Sequence, residues 1–139
     1  MKTVKEQVIQ ITLVTFIWLL VLISLGWGDT LLSVGYVWRL LGIAGLFGGL
    51  FGGFYPYVWS YLTWSSLVSS LVMTVANFSV GFISLALFSR DLFIFVWSYW
   101  WLVLIVTFIL HLLMYQVYRQ LENQKLAKEL NQITKKSSR

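Results

Sequence analysis

The sequence predicts an all-α membrane protein in which four helices cross the bilayer and the fourth continues into a basic tail. Hydrophobic residues make up 59% of the 139 residues, only 11% are charged, and the mean hydropathy is +0.81. A soluble domain has about a quarter of its residues charged, and one of this size cannot bury so much apolar surface. The charged residues also fall into a few short clusters, which leaves long uncharged segments between them.

Three uncharged segments set the number of crossings: residues 7–28, 40–89 and 92–118, with 22, 50 and 27 residues. A spanning helix needs about 20 apolar residues, so the middle segment holds two crossings and the others one each. Pro56 and its aromatic neighbours are typical of a turn at the membrane interface. We therefore predict a transmembrane domain and a tail, with the following bounds: spans near 8–27, 37–55, 66–89 and 92–118 within a domain of residues 1–118, and a tail of residues 119–139.

Lysine and arginine residues predict the orientation, because they accumulate on the cytoplasmic side. With four crossings both termini share one side. That side carries eight of the ten basic residues, which are Lys2, Lys5, Arg119, Lys125, Lys128, Lys135, Lys136 and Arg139. The opposite side carries only Arg39 and Arg90. We expect both termini in the cytoplasm and a multi-pass protein of the cytoplasmic membrane, with the first span retained because it is longer than a signal peptide core.

The second span is rich in glycine. Gly45, Gly49 and Gly53 are spaced by four residues and form one ridge of the helix, and Gly48 and Gly52 form the adjacent ridge. Small residues at this spacing let helix backbones approach closely in lipid. The pattern predicts a packing face, and it is compatible both with packing inside the chain and with a homo-oligomer.

The third and fourth spans carry the polar side chains that we regard as candidate site residues. Ser70, Thr74 and Asn77 share one face of the third span, and His111 and Tyr115 share one face of the fourth. Two interpretations stay open: hydrogen bonds between helices, worth about 1 kcal/mol each, or the polar wall of a cavity for a ligand or permeating solute. The first is favoured because no carboxylate lies in the spans. His111 is likewise either a neutral, hydrogen-bonded imidazole or a titrating switch.

The inventory of reactive groups argues against catalysis. The chain has no cysteine and one histidine, and its five carboxylates lie outside the uncharged segments. An intramembrane enzyme needs paired acid and base groups or several metal ligands. We therefore expect no enzymatic activity, no metal and no cofactor. A small multidrug transporter is also disfavoured, because such proteins need a carboxylate in the first span.

The tail is predicted to be a continuation of the fourth helix, since no glycine or proline interrupts residues 92–133. Leu126, Leu130 and Ile133 form a narrow apolar stripe on this helix. Arg119, Lys125 and Lys128 are its basic residues nearest the membrane. Such a helix can lie on anionic lipid or offer its stripe to a protein partner. No DNA-binding motif occurs, so we expect no direct contact with nucleic acid.

The glycine-rich second span, the polar third span and two stretches of the C-terminal part resemble a family of uncharacterised four-helix membrane proteins. The stretches are His111-Leu-Leu-Met-Tyr115-Gln-Val-Tyr118 and Leu126-Ala-Lys-Glu-Leu130-Asn131. Members of this family are often encoded beside LytTR-type transcription regulators in Gram-positive bacteria. The family leads us to expect a histidine near the start of the third span, where this chain has Ser65 and Ser66.

The resemblance implies a bacterial membrane protein that restrains or tunes a regulator in the cytoplasm. This is our first functional hypothesis: a non-enzymatic protein that acts by contact with another protein. The alternatives are a small transporter or channel, an accessory protein of a lipid-linked-sugar flippase, and a membrane protein that confers immunity to a bacteriocin. The bilayer is the one partner that all of these hypotheses share.

Overall fold

The structure is a computed structural model that describes residues 3–27, 32–61 and 64–137, and all regular structure in these ranges is helical. Four helical stretches are long and apolar enough to cross a membrane, namely Val4–Gly26, Val34–Trp59, Ser66–Phe88 and Trp100–Ile133. This confirms the all-helical class and the number of candidate spans. Lys2 and Arg139, which count toward the predicted orientation, lie outside the described residues. The elements in chain order are α1 (Val4–Trp27), α2 (Val34–Gly49), a π-helical segment (Leu50–Phe54), α3 (Tyr55–Tyr61), α4 (Ser66–Phe88), α5 (Arg90–Trp97) and α6 (Trp100–Ser137).

Side-chain caps define the starts of four of these helices. At α1, Glu6 accepts from the Thr3 amide at 2.9 Å while the Thr3 hydroxyl accepts from the Glu6 amide at 3.3 Å, which is a capping box. Ser33, Ser65 and Ser89 each accept from the backbone amide three residues later, at the starts of α2, α4 and α5. Such caps satisfy amide groups that have no partner inside the helix.

The second span differs from the predicted turn at Pro56, because the helix continues through this residue into α3. The five residues before Tyr55 form a π-helical segment, in which the amide of Tyr55 donates to the carbonyl of Leu50. Proline has no N–H and its ring crowds the preceding turn of an α-helix. The wider π turn lies directly before Pro56, where the regular pattern of backbone bonds cannot be kept. The connection to α4 therefore follows α3 rather than Tyr55.

The predicted fourth span also differs, since residues 92–118 are divided between α5 and α6 at a turn around Ser98. The Ser98 hydroxyl donates to a backbone carbonyl one turn back at 3.1 Å, a local bond that competes with regular helix. Phe93 and Trp97 of α5 contact Phe82 of α4, with ring centroids 6.0 and 5.4 Å apart. These aromatic contacts hold α5 against α4, and the fourth candidate span begins only at α6.

The spans pack in chain order: α1 on α2, α2 on α4, and α4 on α6. The α2 and α4 helices are therefore central, and α1 and α6 lie at the edges. A core of Ile23, Leu40 and Ile43 joins α1 to α2, and Leu40 is fully buried. Most other apolar side chains of α1 and α6 are exposed on the protein surface, where lipid is the expected solvent.

The two glycine ridges of the second span have different environments. A Cβ on Gly52 would lie 2.7 Å from the backbone of Val8, and one on Gly48 would overlap the Thr12 hydroxyl. A Cβ on Gly45 or Gly49 would meet nothing within 4 Å. The ridge of Gly48 and Gly52 is therefore a contact within the chain, against α1. Gly53 belongs to the other ridge by spacing, but its Cβ would make only an ordinary contact with Val8 at 3.6 Å.

We predict that Gly52→Ala destabilises the protein by about 1–3 kcal/mol, because the added methyl meets backbone atoms that cannot rotate away. Gly45→Ala is the matched control, since it adds the same methyl to the same helix in open space. Unfolding of the two variants in mixed micelles with increasing dodecyl sulfate measures the difference. Equal stability of both variants would contradict the close packing of α1 on α2.

Candidate functional site

The polar centre of the structure is a hydrogen bond between the second and fourth spans. The Tyr55 hydroxyl donates to Nε2 of His111, and Nδ1–H of His111 donates to the Thr107 carbonyl at 2.7 Å. A carbonyl only accepts, so Nδ1 carries the hydrogen and Nε2 of the neutral ring is the acceptor. Only 7% of the surface of His111 is exposed. Both ring nitrogens of this buried imidazole are therefore satisfied inside the protein.

Thr74 of α4 completes the centre. Its hydroxyl donates to the carbonyl of Ser70 at 2.7 Å and lies 3.3 Å from Nδ1 of His111, whose hydrogen it can accept in part. Thr74 and Ser70 are each 1% exposed. Three helical segments thus meet at one buried polar cluster, which we call the Tyr-His-Thr centre (Tyr55, Thr74 and His111). It joins edge helix α6 to both central spans.

Aromatic rings extend this centre by one helical turn. Trp59 lies four residues after Tyr55, and Tyr115 lies four residues after His111, so the two pairs face each other at matched spacing. The ring centroids of Trp59 and Tyr115 are 6.3 Å apart in an edge-to-face arrangement. A cavity of about 190 Å³ lies beside Trp59, and its other lining residues are Phe51, Tyr55, Leu110, His111 and Met114. Apart from Tyr55 and His111, which are hydrogen-bonded to each other, this lining is apolar, which suits a hydrocarbon chain better than a polar substrate.

The predicted site residues have different outcomes. Ser70, Thr74, His111 and Tyr115 are all buried, and the first three lie in or beside the Tyr-His-Thr centre. Asn77 is only half-buried, and its side chain makes no hydrogen bond to any residue in the described part of the chain. The hydrogen-bonding partners of His111 are a tyrosine, a threonine and a carbonyl.

Sequence reasoning missed Tyr55, which it placed at the last position of the second span, beside the predicted turn at Pro56. The signal was present in the equal spacing of Tyr55 with Trp59 and of His111 with Tyr115. Pro56 hid this signal, because a proline argues against helix at the residue before it, which is Tyr55. The buried Ser69, which lies outside the predicted polar face, was also missed. The hydroxyls of Ser69, Ser70 and Ser84 have no hydrogen-bond partner among the residues that the structure describes.

The tail leaves the transmembrane part without a break in the helix. The α6 helix runs from Trp100 to Ser137, as the absence of glycine and proline predicts. The guanidinium of Arg119 lies 5.8 Å from the centroid of the Tyr115 ring, and it forms an ion pair with Glu122 at 3.7 Å. Beyond this point Leu126, Leu130 and Ile133 are 52, 63 and 65% exposed. Lys125 and Lys128 are exposed beside them.

The hydrogen-bonding partners of His111 include neither a carboxylate nor a second histidine. Within the described ranges, no group of three or more His, Cys, Asp or Glu side chains is placed to hold a metal ion. Comparison of the chain with protein-family models, with curated proteins and with solved structures finds no match. The geometry is that of a structural and coupling centre, in which an edge helix is fixed to two others through directed hydrogen bonds.

We predict that Tyr55→Phe destabilises the protein by about 1–3 kcal/mol, because it leaves Nε2 of His111 buried without a donor. Tyr99→Phe removes the same hydroxyl from an exposed tyrosine and is the control. Adding His111→Leu to Tyr55→Phe should recover part of the loss, since both polar partners are then gone. Thermal unfolding in detergent micelles measures the wild type, the Tyr99→Phe control, the single variants Tyr55→Phe and His111→Leu, and the double variant. Additive losses in the double variant would show that the two side chains do not interact.

Proposed function

We propose that this chain is a non-enzymatic protein of the bacterial cytoplasmic membrane that modulates a cytoplasmic LytTR-type regulator by direct contact. The observation that supports this proposal is the continuity of α6, which carries His111 inside the membrane part and the apolar stripe outside it. A regular helix transmits rotation and translation along its length because each turn is hydrogen-bonded to the next. The position of the tail would therefore change when the hydrogen bonds of the Tyr-His-Thr centre change.

The tail has the properties of a binding helix. Leu126 and Ile133 are seven residues apart on one face and more than half exposed. Burying an apolar side chain of this size contributes about 1.5–3 kcal/mol. Two such side chains can therefore bind in an apolar groove on a partner protein. Lys125 and Lys128 add positive charge next to the stripe. The resemblance to a family encoded beside LytTR-type regulators supports the choice of partner.

Both termini are proposed to lie in the cytoplasm, with the tail beside a soluble regulator. The support is the excess of lysine and arginine in the two terminal segments over the opposite side. The start of α1 and the exit of α6 also contact the same end of the second span, because a Cβ on Gly52 would meet Val8 while the rings of Trp59 and Tyr118 lie 5.0 Å apart between centroids. Replacing Lys2 or Lys136 by cysteine, and labelling the thiol in intact cells, tests this arrangement. Labelling of either position by an impermeant reagent would contradict it.

We predict that the double variant Leu126→Gln, Ile133→Gln lowers co-purification with a candidate LytTR-type regulator at least tenfold. The loss of two buried apolar contacts exceeds about 1.4 kcal/mol, which corresponds to that factor. Leu121→Gln is the control, since Leu121 is equally exposed but lies on another face of α6. Deletion of residues 119–139 should abolish co-purification. If the deleted protein still binds the regulator, the tail is not the contact.

A second candidate function is a small transporter or channel, or an accessory protein of a lipid-linked-sugar flippase. It is favoured by the hydroxyls of Ser69, Ser70 and Ser84, which are buried without partners in the described part of the chain. Asn77 lies on the same helix, also without a hydrogen bond there. Buried polar groups of this kind are the lining that a polar solute or water needs.

Flux measurements in liposomes distinguish the two functions. If the chain transports a solute, Asn77→Leu should reduce flux strongly, because it removes a polar contact within a span. Val75→Leu is the control, as Val75 is exposed on the same helix. Absence of flux above that of protein-free liposomes for the wild-type protein would remove the transport hypothesis, and it would leave the tail-contact hypothesis untouched.

A further inference from the structure

A groove of about 400 Å³ lies between the start of α4 and the part of α6 that leaves the apolar region. Its wall includes Ser66, Gln116 and Arg119, with Trp64 and Tyr115 as the aromatic part. We propose that this groove binds the phosphate group of an anionic phospholipid in the leaflet next to the tail. This site is separate from the Tyr-His-Thr centre and from the apolar stripe, and it does not require that the tail binds a regulator.

The charge and donor pattern of the groove fits a phosphate diester. Arg119 supplies a planar cation, which pairs well with phosphate oxygens. Gln116 and Gln120 supply amide donors from the same face region of α6. No carboxylate is among the residues that line the groove. The site therefore presents a positive charge and donors to a ligand that carries a negative charge and acceptors.

The start of α4 contributes further donors. Ser65 caps this helix by accepting from the amide of Val68 at 3.4 Å. The amides of Ser66 and Leu67, also in the first turn, have no acceptor within the helix. The amides at a helix start, together with the helix dipole, attract anions. The α4 helix has 23 residues, so its dipole is fully developed.

Two buried serine hydroxyls lie one helical turn deeper along α4. Ser69 and Ser70 are 0 and 1% exposed, and neither hydroxyl has a partner within the described residues. Neither residue lines the groove. The proposed site therefore rests on Arg119, on the two glutamine amides and on the start of α4.

The position of the groove selects a lipid over a soluble anion. Arg119 is the first charged residue after the uncharged part of α6, where the headgroups of the bilayer are expected. Trp64 is 41% exposed at the same level, as is typical of an interfacial tryptophan. The ion pair of Arg119 with Glu122 is no strong competitor, because both side chains are well exposed and such pairs are weak. The Tyr115 ring holds the guanidinium beside the groove.

Native mass spectrometry of the full chain, released from micelles with equal amounts of phosphatidylglycerol and phosphatidylcholine, tests the proposal. The wild-type protein should retain phosphatidylglycerol preferentially. Arg119→Gln should reduce this preference about fivefold, in line with the loss of one cation near a lipid phosphate. Lys125→Gln is the matched control, since it removes the same charge from the same helix outside the groove. It should leave the preference unchanged.

A second variant separates the groove from general attraction to basic residues. Ser66→Pro removes an amide donor and a hydroxyl, and proline is well tolerated at the first position of a helix. It should weaken phosphatidylglycerol retention while thermal stability stays near that of the wild type. Equal losses in Arg119→Gln and Lys125→Gln would overturn the proposal, because the attraction would then be diffuse. Displacement of the lipid by millimolar inorganic phosphate would also overturn it, by showing a site for the free ion.

Discussion

Inside a bilayer every buried polar group needs a partner within the protein, and the bond between Tyr55 and His111 is where this requirement organises the structure. The imidazole cannot be left facing lipid, and its two nitrogens are satisfied by the Thr107 carbonyl and the Tyr55 hydroxyl. Meeting this requirement brings α6 to the start of α3 and against Thr74 of α4. The bond thus fixes the edge helix that carries the tail, even though apolar packing at that edge is sparse.

The second span makes this arrangement geometrically possible. Its Gly48 and Gly52 face α1, where the absence of a side chain lets the backbones touch. The π-helical segment follows immediately and changes the direction in which later side chains point, since a π turn holds more residues than an α turn. Tyr55 is the first residue after that segment. One helix therefore packs tightly against α1 on one side and supplies the hydroxyl for His111 on another.

Much of this was open to prediction from the sequence, and the failures have physical causes. Uncharged length predicts the number of candidate spans, because the bilayer imposes it. Spacing predicts the buried face of Ser70 and Thr74, because helical period is fixed. The helix ends in the second and fourth spans differ from those predicted. In one case a π turn accommodates Pro56, and in the other Phe93 and Trp97 pack on Phe82. The first is a local backbone adjustment that the helical period does not predict, and the second depends on a tertiary contact that local sequence patterns do not contain.

The same limit applies to the glycine ridges and to the polar stripe of α4. Spacing placed both ridges on the second span but did not say which of them would meet α1. The structure shows that Gly48 and Gly52 face Thr12 and Val8 of α1. Spacing also put Asn77 with Thr74, yet only Thr74 reaches the imidazole. A stripe predicts which residues share a face, and the position of the neighbouring helix decides which of them find partners.

The three functional regions proposed for this chain are in series along α6. His111 and Arg119 are eight residues apart, about 12 Å along the axis, and Tyr115 lies between them. The Tyr115 ring packs on Trp59 and also carries the guanidinium of Arg119 on its surface. A lipid phosphate bound to Arg119 would therefore also act on the Tyr115 ring, which packs on Trp59. Because no glycine or proline interrupts the helix before the tail, a displacement of Arg119 would be transmitted to Leu126 without an intervening hinge.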